Sequence, residues 1–286
     1  MIQDIAPHHF ANEYRPSPPE KESFLLFYRG RDVLLTERDG KLDFPRFSEL
    51  EGENSFLYER YTYLFSIDED RFYLAPDNLR FDLLDGARLE NREIFRTMSP
   101  RHLAFAGITG FQLYGWYRSH RFCGRCGQEM QQDHKERMML CPSCGQMEYP
   151  KICPAVIVAV LDGERILLTK YAGRSYTRYA LIAGFAEIGE TIEQTVHREV
   201  MEEVGLWVKN LRFYKSQPWS FSDTLLMGFY CDLDGEDRIT LDQDELAVAE
   251  WFNRGQIPAP ELDISLTSEM MMRFQKMIVL KKLKNI

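Results

Sequence analysis

Four cysteines are the first residues of this 286-residue chain that could do chemistry, because they form two C-x-x-C pairs. The first pair is Cys123 and Cys126, the second is Cys141 and Cys144, and a glycine follows each pair. Such pairs make two tight turns whose backbone N–H groups can point at the thiolates, and four thiolates complete a tetrahedral zinc site. The spacing therefore predicts one structural zinc ion per chain. Two disulfides or four free thiols are the alternatives.

The second chemical feature is a concentration of glutamates between Gly184 and Leu206, where twenty-three residues contain six Glu and no Lys. On a helix, Glu199, Glu202 and Glu203 would share one face, because they are spaced i, i+3 and i+4. Like charges at this spacing repel by a few tenths of a kcal/mol per pair. A divalent cation that prefers hard oxygen ligands, Mg²⁺ or Mn²⁺, would offset that repulsion. A solvated helix face is the alternative.

The element that must position these glutamates is predicted to be a single helix. Val196, Val200 and Val204 form a second stripe, which lies about 100° around the axis from the glutamates and would anchor the helix to a sheet. Arg198 could pin one carboxylate. We expect Gly184 and Gly205 to turn the chain at the two ends, Gly205 as the helix C-cap.

Strand patterns surround this helix. "PAVIVAVLDGERILLTKY" predicts a β-hairpin with an Asp-Gly turn, and "TLLMGFYCDLDG" predicts a further strand. "SLTSEMMMRFQKMIVLKKLKN" predicts a closing helix. The alternation indicates an α and β domain over residues 151–286.

The first part of the chain has a different pattern. Short apolar or alternating runs between residues 22 and 90 predict strands, with "ERDGKL" and "DEDRF" as hairpin turns. Residues 99–118 begin with Ser-Pro and predict a connecting helix, although three glycines count against it. We therefore predict an α+β multidomain protein with a β-rich N-terminal domain and connecting helix over 1–118 and a four-Cys ribbon over 119–150.

Composition restricts the class of protein. Hydrophobic residues make up 44% and charged residues 28% of the chain, as in soluble globular proteins. The net charge of −9 argues against general nucleic-acid binding, which needs a basic surface. The longest apolar run is too short to span a bilayer, and the polar N-terminus is unlike a signal peptide. We expect a cytoplasmic protein with no membrane partner.

The glutamate-rich stretch fills every fixed place of the pattern G-x5-E-x7-R-E-U-x-E-E-x-G-U, where U is apolar. It therefore resembles the Nudix hydrolase family, which cleaves nucleoside diphosphates linked to another moiety. The resemblance implies an α/β/α sandwich in which Glu199, Glu202 and Glu203 bind the catalytic metals. A further carboxylate often serves as base or metal ligand. Glu245 and Glu250 are the candidates, and exposed surface acids are the alternative reading of both.

"SQPWSFSDT" at 216–224 resembles the S-Q-P-W-P-F-P-x-S signature of the NADH pyrophosphatase family within the Nudix hydrolases. Five of eight specified places match, and Ser220 and Ser222 replace two prolines, which should loosen the loop. "HRFCGRCG", "YP" and "LIAGFAEIGE" also resemble that family, so the resemblance covers roughly residues 90–270. It implies cleavage of NAD(H) to nicotinamide mononucleotide and AMP with Mg²⁺ or Mn²⁺. It also implies removal of NAD caps from RNA in bacterial members, and a homodimer.

The same resemblance implies particular site residues. Ala183 would offer its carbonyl to metal, together with the carboxylates of Glu199, Glu203 and Glu245. Phe185 and Tyr149 would line the base pocket, although core packing is the alternative for these rings as for Trp219 and Phe221. The implied substrate contacts are Arg92, Glu136, Tyr149, Phe185, Gln217, Pro218, Trp219, Ser220, Phe221, Ser222, Asp223, Thr224 and Thr267.

Three other functions are open. A Nudix hydrolase of ADP-ribose or dinucleoside polyphosphates would share the glutamates and differ in products. A non-catalytic nucleotide sensor would tend to lose those carboxylates, and this chain has kept them all. A nucleic-acid-binding ribbon is disfavoured because "QEMQQDHKERMML", between the cysteine pairs, mixes charges without a basic stripe.

Overall fold

Residues 1–173, 177–258 and 262–283 are described by a computed structural model. Their contacts divide them into two units. The N-terminal unit comprises 2–151 with 220–222, and the C-terminal unit comprises Met1 with the described residues of 152–219 and 223–286. The three predicted domains, 1–118, 119–150 and 151–286, stay a prediction. None of the described helices is long and apolar enough to cross a membrane.

Two small sheets form the β-rich part of the N-terminal unit. Their strands are β1 (Phe10–Ala11), β2 (Phe24–Leu26), β3 (Tyr28–Arg29), β4 (Asp32–Arg38), β5 (Lys41–Asp43), β6 (Thr62–Ile67), β7 (Asp70–Leu74) and β8 (Arg88–Asn91). One sheet has the order β1-β6-β7-β2, and the other has the order β3-β4-β5 with β8 beside β4. The two predicted hairpins are confirmed, because Asp39, Gly40 and Asp68 adopt the left-handed conformation at their turns.

The helices of this unit are α1 (Phe47–Leu50), the 3-10 segment Arg92–Arg96 and α2 (Arg101–Ser119). The predicted connecting helix is thus confirmed despite its glycines. A Cβ at Gly107 would come within 3.0 Å of the Phe95 ring, and one at Gly110 would come equally close to Leu26. Glycine at these two positions lets α2 pack closely against its neighbours, and that packing outweighs the lower helix propensity.

The ribbon consists of three two-residue strands, β9 (Gln131–Gln132), β10 (Met139–Leu140) and β11 (Met147–Glu148). They pair antiparallel in the order β11-β10-β9. Strands this short have little stability of their own. The module therefore depends on the two cysteine turns, which precede β9 and β11.

The C-terminal unit is built on a six-stranded sheet. Its strands are β12 (Cys153–Asp162), β13 (Arg165–Tyr171), β14 (Ile182–Phe185), β15 (Val208–Trp219), β16 (Thr224–Leu233) and β17 (Leu246–Asn253). The order is β15-β16-β12-β13-β17, with β14 also paired to β12. The helices are α3 (Ile192–Val204), the 3-10 segment Arg254–Gln256 and α4 (Leu266–Leu283).

Alternation along β12 gives this sheet two buried faces. Val156, Val158 and Val160 pack in one core with the valines of α3. Ile157 and Ala159 point to the other side and pack in a second core with residues of α4. A continuous apolar strand is expected where both faces of a sheet are covered. The α/β/α sandwich predicted for this part of the chain is therefore confirmed.

Candidate functional site

The four ribbon cysteines converge as predicted. The Sγ atoms of Cys123 and Cys144 lie 3.6 Å apart, those of Cys126 and Cys141 lie 3.5 Å apart, and all four fall within 4.8 Å of one another. Tetrahedral zinc with Zn–S bonds of about 2.3 Å requires sulfur atoms about 3.8 Å apart. The four thiols therefore fit zinc. Across 1–173, 177–258 and 262–283, no other group of three or more Cys, His, Asp or Glu converges so closely.

Each cysteine pair forms a tight turn that aims backbone N–H groups at sulfur. In the second turn, the N–H of Cys141 donates to Gln146 O at 2.8 Å and that of Gly145 donates to Cys141 O at 3.0 Å. Gly145 has φ 72°, which favours glycine. Hydrogen bonds from the backbone N–H groups of Cys144 and Ser143, and from the thiols of Cys126 and Cys144, lower the pKa of the Cys141 thiol. The pKa of the Cys126 thiol, which shares a proton with Cys141, is raised. The first turn repeats the backbone geometry. The thiolate, which is the form that binds zinc, is thus favoured at Cys141.

Helix α3 has well-defined ends that place the glutamates. Thr191 Oγ1 accepts from the N–H of Gln194 at 3.2 Å, and Gln194 Oε1 accepts from the N–H of Thr191 at 2.8 Å. This capping box has a T-x-x-Q signature that the sequence analysis did not use. Gly205 is the C-cap with φ 67°, as predicted. The turn predicted at Gly184 is wrong, because Gly184 lies within β14 and pairs with Val156.

Arg198 binds three carboxylates at once, whereas the sequence predicts a contact with one. Its Nε and Nη2 donate to Glu190 at 2.6 and 2.9 Å, and its Nη1 donates to Glu199 at 2.7 Å and Glu202 at 2.9 Å. Nη2 also donates to Phe185 O at 2.8 Å. These hydrogen bonds hold the pKa of the Glu190 carboxyl at about 2. The guanidinium therefore fastens the loop before α3 to the helix itself.

Burial separates the three predicted metal-binding glutamates. Glu199 and Glu203, one turn apart, are 8% and 2% exposed, whereas the Glu202 side chain is 56% exposed. The pKa of Glu199 is raised, chiefly because the carboxyl group is buried. The hydrogen bond and ion pair with Arg198 oppose this rise, and the charges of Glu202 and Glu245 add to it. Two buried carboxylates on one helix face provide the hard oxygen atoms that Mg²⁺ and Mn²⁺ prefer. These residues therefore fit a divalent cation.

The two further acid candidates have different surroundings. Glu250, in β17, accepts a hydrogen bond from Tyr179 OH at 2.8 Å. The Tyr179 ring packs edge-on against Phe252, 4.8 Å away, in the core on the α4 side of the sheet. Glu245 immediately precedes β17, and its charge acts on Glu199. Of the two, Glu245 is the acid that the structure brings toward the α3 glutamates.

The predicted substrate loop contains residues with clear structural contacts. Gln217 is fully buried; its Nε2 donates to Ile264 O at 2.9 Å, and its Oε1 accepts from the N–H of Leu266 at 2.6 Å. Gln217 thus joins β15 to the first residue of α4, whose N–H has no partner within the helix. Phe221 is buried with the Arg96 guanidinium 4.1 Å from its ring centroid, so packing explains this ring.

The other loop positions differ in exposure. Trp219 pairs with Thr224 at the end of the β15–β16 hairpin, and Asp223 has a left-handed φ of 56°. Ser220 and Thr224 are buried, Pro218 and Ser222 are exposed, and Trp219, Asp223 and Thr267 are half-buried. The loop is therefore a tight hairpin end in which Pro218 and Ser222 are the exposed residues.

Three further predicted contacts, besides those at 220–222, lie in the N-terminal unit. Tyr149 OH donates to Glu136 Oε2 at 2.7 Å, so the structure brings these two together. Arg92 lies with its guanidinium 4.6 Å from the ring centroid of Phe111 in α2. Tyr149 is 53% exposed, as is Phe185 in the C-terminal unit. Core packing therefore does not account for these two rings.

Two family patterns match this chain. The NUDIX domain matches residues 151–274, and the NADH pyrophosphatase zinc ribbon domain matches residues 118–149. The second match ends just before the first begins. Together they cover the ribbon and most of the C-terminal unit.

Two curated relatives are each similar to more than half of this chain. The NAD-capped RNA hydrolase NudC of Pectobacterium atrosepticum is 49% identical over 149 residues, which are 52% of this chain and 57% of that protein. The protein of the same name from Erwinia tasmaniensis is 40% identical over 178 residues, which are 62% of this chain and 68% of that protein. This chain thus spans little more than half the length of the Pectobacterium protein. A NUDIX hydrolase structure from Nitrosomonas europaea has 23% identity and a TM-score of 0.48, covering 55% of this chain and 90% of that one.

Proposed function

This chain belongs to the Nudix hydrolase family, and from that premise we propose that it hydrolyses the pyrophosphate bond of NAD(H), releasing nicotinamide mononucleotide and AMP. The observation that carries this substrate is the four-cysteine ribbon of the NADH pyrophosphatase type, directly before the NUDIX domain. The NAD cap of an RNA contains the same pyrophosphate bond. The names of the relatives support capped RNA as a further substrate.

We propose that Mg²⁺ or Mn²⁺ is held by the Ala183 carbonyl and by Glu199, Glu202, Glu203 and Glu245. When bound, such a cation neutralises phosphate oxygens and lowers the pKa of a coordinated water. The support is the pair of buried carboxylates on one face of α3, because carboxylate oxygen atoms are the ligands that these cations prefer.

Arg198 would act as a positioning residue in this site. Burial raises the pKa of Glu199, and the Arg198 guanidinium opposes that shift, which favours the ionised carboxylate that a cation needs. The same guanidinium binds the Phe185 carbonyl and Glu190, so the end of β14 and the loop after it are held against α3. Glu245 would serve as base or additional ligand, because Glu250 is bound to Tyr179.

The exposed rings would recognise the flat parts of the dinucleotide. Aromatic side chains stack on heteroaromatic rings, and Phe185 and Tyr149 are more than half exposed. The Glu136 carboxylate is an acceptor for ribose or amide donors once Tyr149 has fixed its position. We further propose a cytoplasmic homodimer, on the family resemblance, which size-exclusion chromatography with light scattering would test.

A substrate panel tests the proposal directly. NADH, NAD⁺, ADP-ribose, diadenosine polyphosphates and NAD-capped RNA are incubated with Mg²⁺ or Mn²⁺, and the products are separated. We expect AMP with nicotinamide mononucleotide from NAD⁺, AMP with its reduced form from NADH, and 5′-monophosphate RNA from the capped transcript. A clear preference for ADP-ribose or the diadenosine compounds would replace the proposal with the alternative hydrolase. Nucleotide binding without turnover would support the sensor.

A further inference from the structure

We propose that the N-terminal arm, residues 10–15, positions the Glu136–Tyr149 pair for substrate binding, with Arg137 as the positioning residue. The inference rests on the proposed function, since Glu136 and Tyr149 are substrate contacts only there. All residues involved lie in the N-terminal unit. The arm begins with β1, which pairs antiparallel with β6 and is thereby fixed to a sheet.

Arg137 joins the ribbon to this arm. Its Nη2 donates to the backbone carbonyl of Asn12 at 3.2 Å and to Asn12 Oδ1 at 3.3 Å. Its guanidinium also lies 5.3 Å from the ring centroid of Tyr14, in cation–π range. Burial lowers the pKa of Arg137, and this shift is opposed by Tyr117, Tyr14 and Tyr63. Within the part of the chain that the structure describes, no carboxylate forms an ion pair with Arg137.

Tyr14 holds the other end of the same ribbon loop. Its hydroxyl donates to Asp133 O at 3.2 Å. The Asp133 carboxylate in turn accepts from the backbone N–H groups of Lys135 at 2.7 Å and Glu136 at 2.8 Å. The loop 133–137 is therefore a closed turn whose first and last residues are both attached to the arm.

Glu136 lies between the two attachment points, Asp133 and Arg137, and accepts a hydrogen bond from Tyr149 OH at 2.7 Å. Glu136 and Tyr149 are both exposed. An exposed polar pair contributes on the order of 1 kcal/mol or less and cannot hold a loop in one conformation by itself. The half-buried attachments at Asp133 and Arg137 hold the loop in one conformation. A change in the arm should therefore alter the position of Glu136 and, through it, that of Tyr149.

The Arg137 side chain is not well suited to stabilising the fold. Its Nη1 is buried without a hydrogen-bond acceptor. Replacing such a group by an apolar side chain of similar length is often neutral for stability, because a buried unpaired donor is removed. Arg137→Met should therefore leave a folded protein in which the two hydrogen bonds to Asn12 are missing. Because this variant should fold, its effect on substrate binding can be measured apart from any effect on folding.

The experiment compares Arg137→Met with Tyr149→Phe in the full chain, using NADH. We expect Tyr149→Phe to raise KM about tenfold, the factor for losing one hydrogen bond to a charged group. Arg137→Met should raise KM by a similar factor with kcat within about twofold. The double variant should show no further increase, since both changes act on the same pair. Arg60→Met, the same change at an exposed arginine of the N-terminal unit outside the arm and the ribbon, is the matched control and should leave KM unchanged.

Two readouts do not depend on turnover. Zinc content and melting temperature should match the wild type in Arg137→Met, and amide hydrogen exchange should increase at Lys135 and Glu136. Tyr14→Phe removes only the hydroxyl that binds Asp133 and should reproduce the change if Arg137→Met does not fold. Arg137→Lys, which keeps a charged donor group in place of the guanidinium, should recover part of the lost affinity.

The outcomes distinguish the two proposals. If Tyr149→Phe leaves KM for NADH unchanged, the assignment of the Glu136–Tyr149 pair to substrate binding is wrong. If Tyr149→Phe raises KM while Arg137→Met and Tyr14→Phe do not, the arm has no positioning role. An equal rise in KM for Arg60→Met would also overturn the inference, since the effect would then be one of charge alone.

Discussion

Gly184 in β14 lies so close to the carboxylate of Glu199 in α3 that a Cβ at position 184 would come within 3.0 Å of Cδ, Oε1 and Oε2. The glycine that opens the family pattern is therefore required for a close approach of strand and helix. The backbone of β14 forms one wall beside the carboxylate, and the adjacent Ala183 carbonyl belongs to the same strand.

Gly184→Ala should strongly reduce activity, because the new methyl group must displace the Glu199 carboxylate or push β14 away from α3. A displacement of about 1 Å in a catalytic group can cost about a hundredfold in rate, and we expect at least that loss in kcat/KM for NADH. Gly115→Ala is the control, since a Cβ there meets open space in α2. Wild-type turnover by Gly184→Ala would show that the contact is not needed.

Glu203→Gln should abolish turnover with little effect on folding, because it removes one negative charge and keeps the shape of the side chain. We expect a loss in kcat of at least about a hundredfold with Mg²⁺, consistent with removal of a metal ligand or base. Glu193→Gln makes the same change at an exposed position of α3 and should be active. A fully active Glu203→Gln would refute the metal assignment.

Metal analysis should find one zinc ion per chain. Cys144→Ser should lose this zinc and lower the melting temperature, since a closed four-thiolate site contributes directly to folding. Cys153→Ser, which lies outside the ribbon, should retain the metal. Two disulfides in the purified protein would contradict the zinc site.

Gln217→Leu should destabilise the protein, because the buried Ile264 carbonyl and Leu266 N–H both lose their partner. Each unsatisfied buried group costs about 1–3 kcal/mol, so the loss of two partners should lower the free energy of unfolding by about 2–6 kcal/mol. Denaturant unfolding measures this quantity. Gln243→Leu, at an exposed position, is the control. A change below about 0.5 kcal/mol, the range of an ordinary surface substitution, would show that Gln217 does not support α4.

The Glu190–Arg198 pair should make stability depend on pH in the acid range. Arg198 holds the pKa of Glu190 at about 2, below its ordinary 4.5, so the pair stabilises the fold above pH 4.5. This contribution is lost as the pH falls from 4.5 toward 2. The difference in melting temperature between wild type and Glu190→Gln should be constant above about pH 5 and decrease below it. A difference in melting temperature that stays constant down to pH 3 would contradict the pairing.

Local patterns carried much of the correct prediction. The cysteine turns, the β12–β13 hairpin and the C-cap of α3 at Gly205 each depend on residues close in sequence, whose backbone preferences are strong. The valines of α3 and the apolar run of β12 also indicated both faces of the sandwich. The T-x-x-Q capping box at Thr191 is a local signal of the same kind.

Contacts between distant segments were not readable in the same way. Nothing in the sequence shows that the Gln217 amide meets the start of α4, or that Arg137 meets Asn12, because side-chain direction depends on the completed fold. The role of Gly184 was misjudged for the same reason. Glycine allows both turns and close approaches, and only the position of Glu199 decides between them.

The parallel pairing of β12 with β16 has a consequence for folding. Cys153 pairs with Thr224, and β13, β14, α3 and β15 all lie between them in the chain. Closing so long a loop costs entropy before the ladder can offset it, and folds dominated by such non-local contacts are slow. During synthesis, the edge of β12 that pairs with β16 and the face that packs against α4 stay uncovered until these two elements have left the ribosome. Refolding yield should therefore decrease with protein concentration, and a nascent chain that ends before β16 is the form most in need of a chaperone.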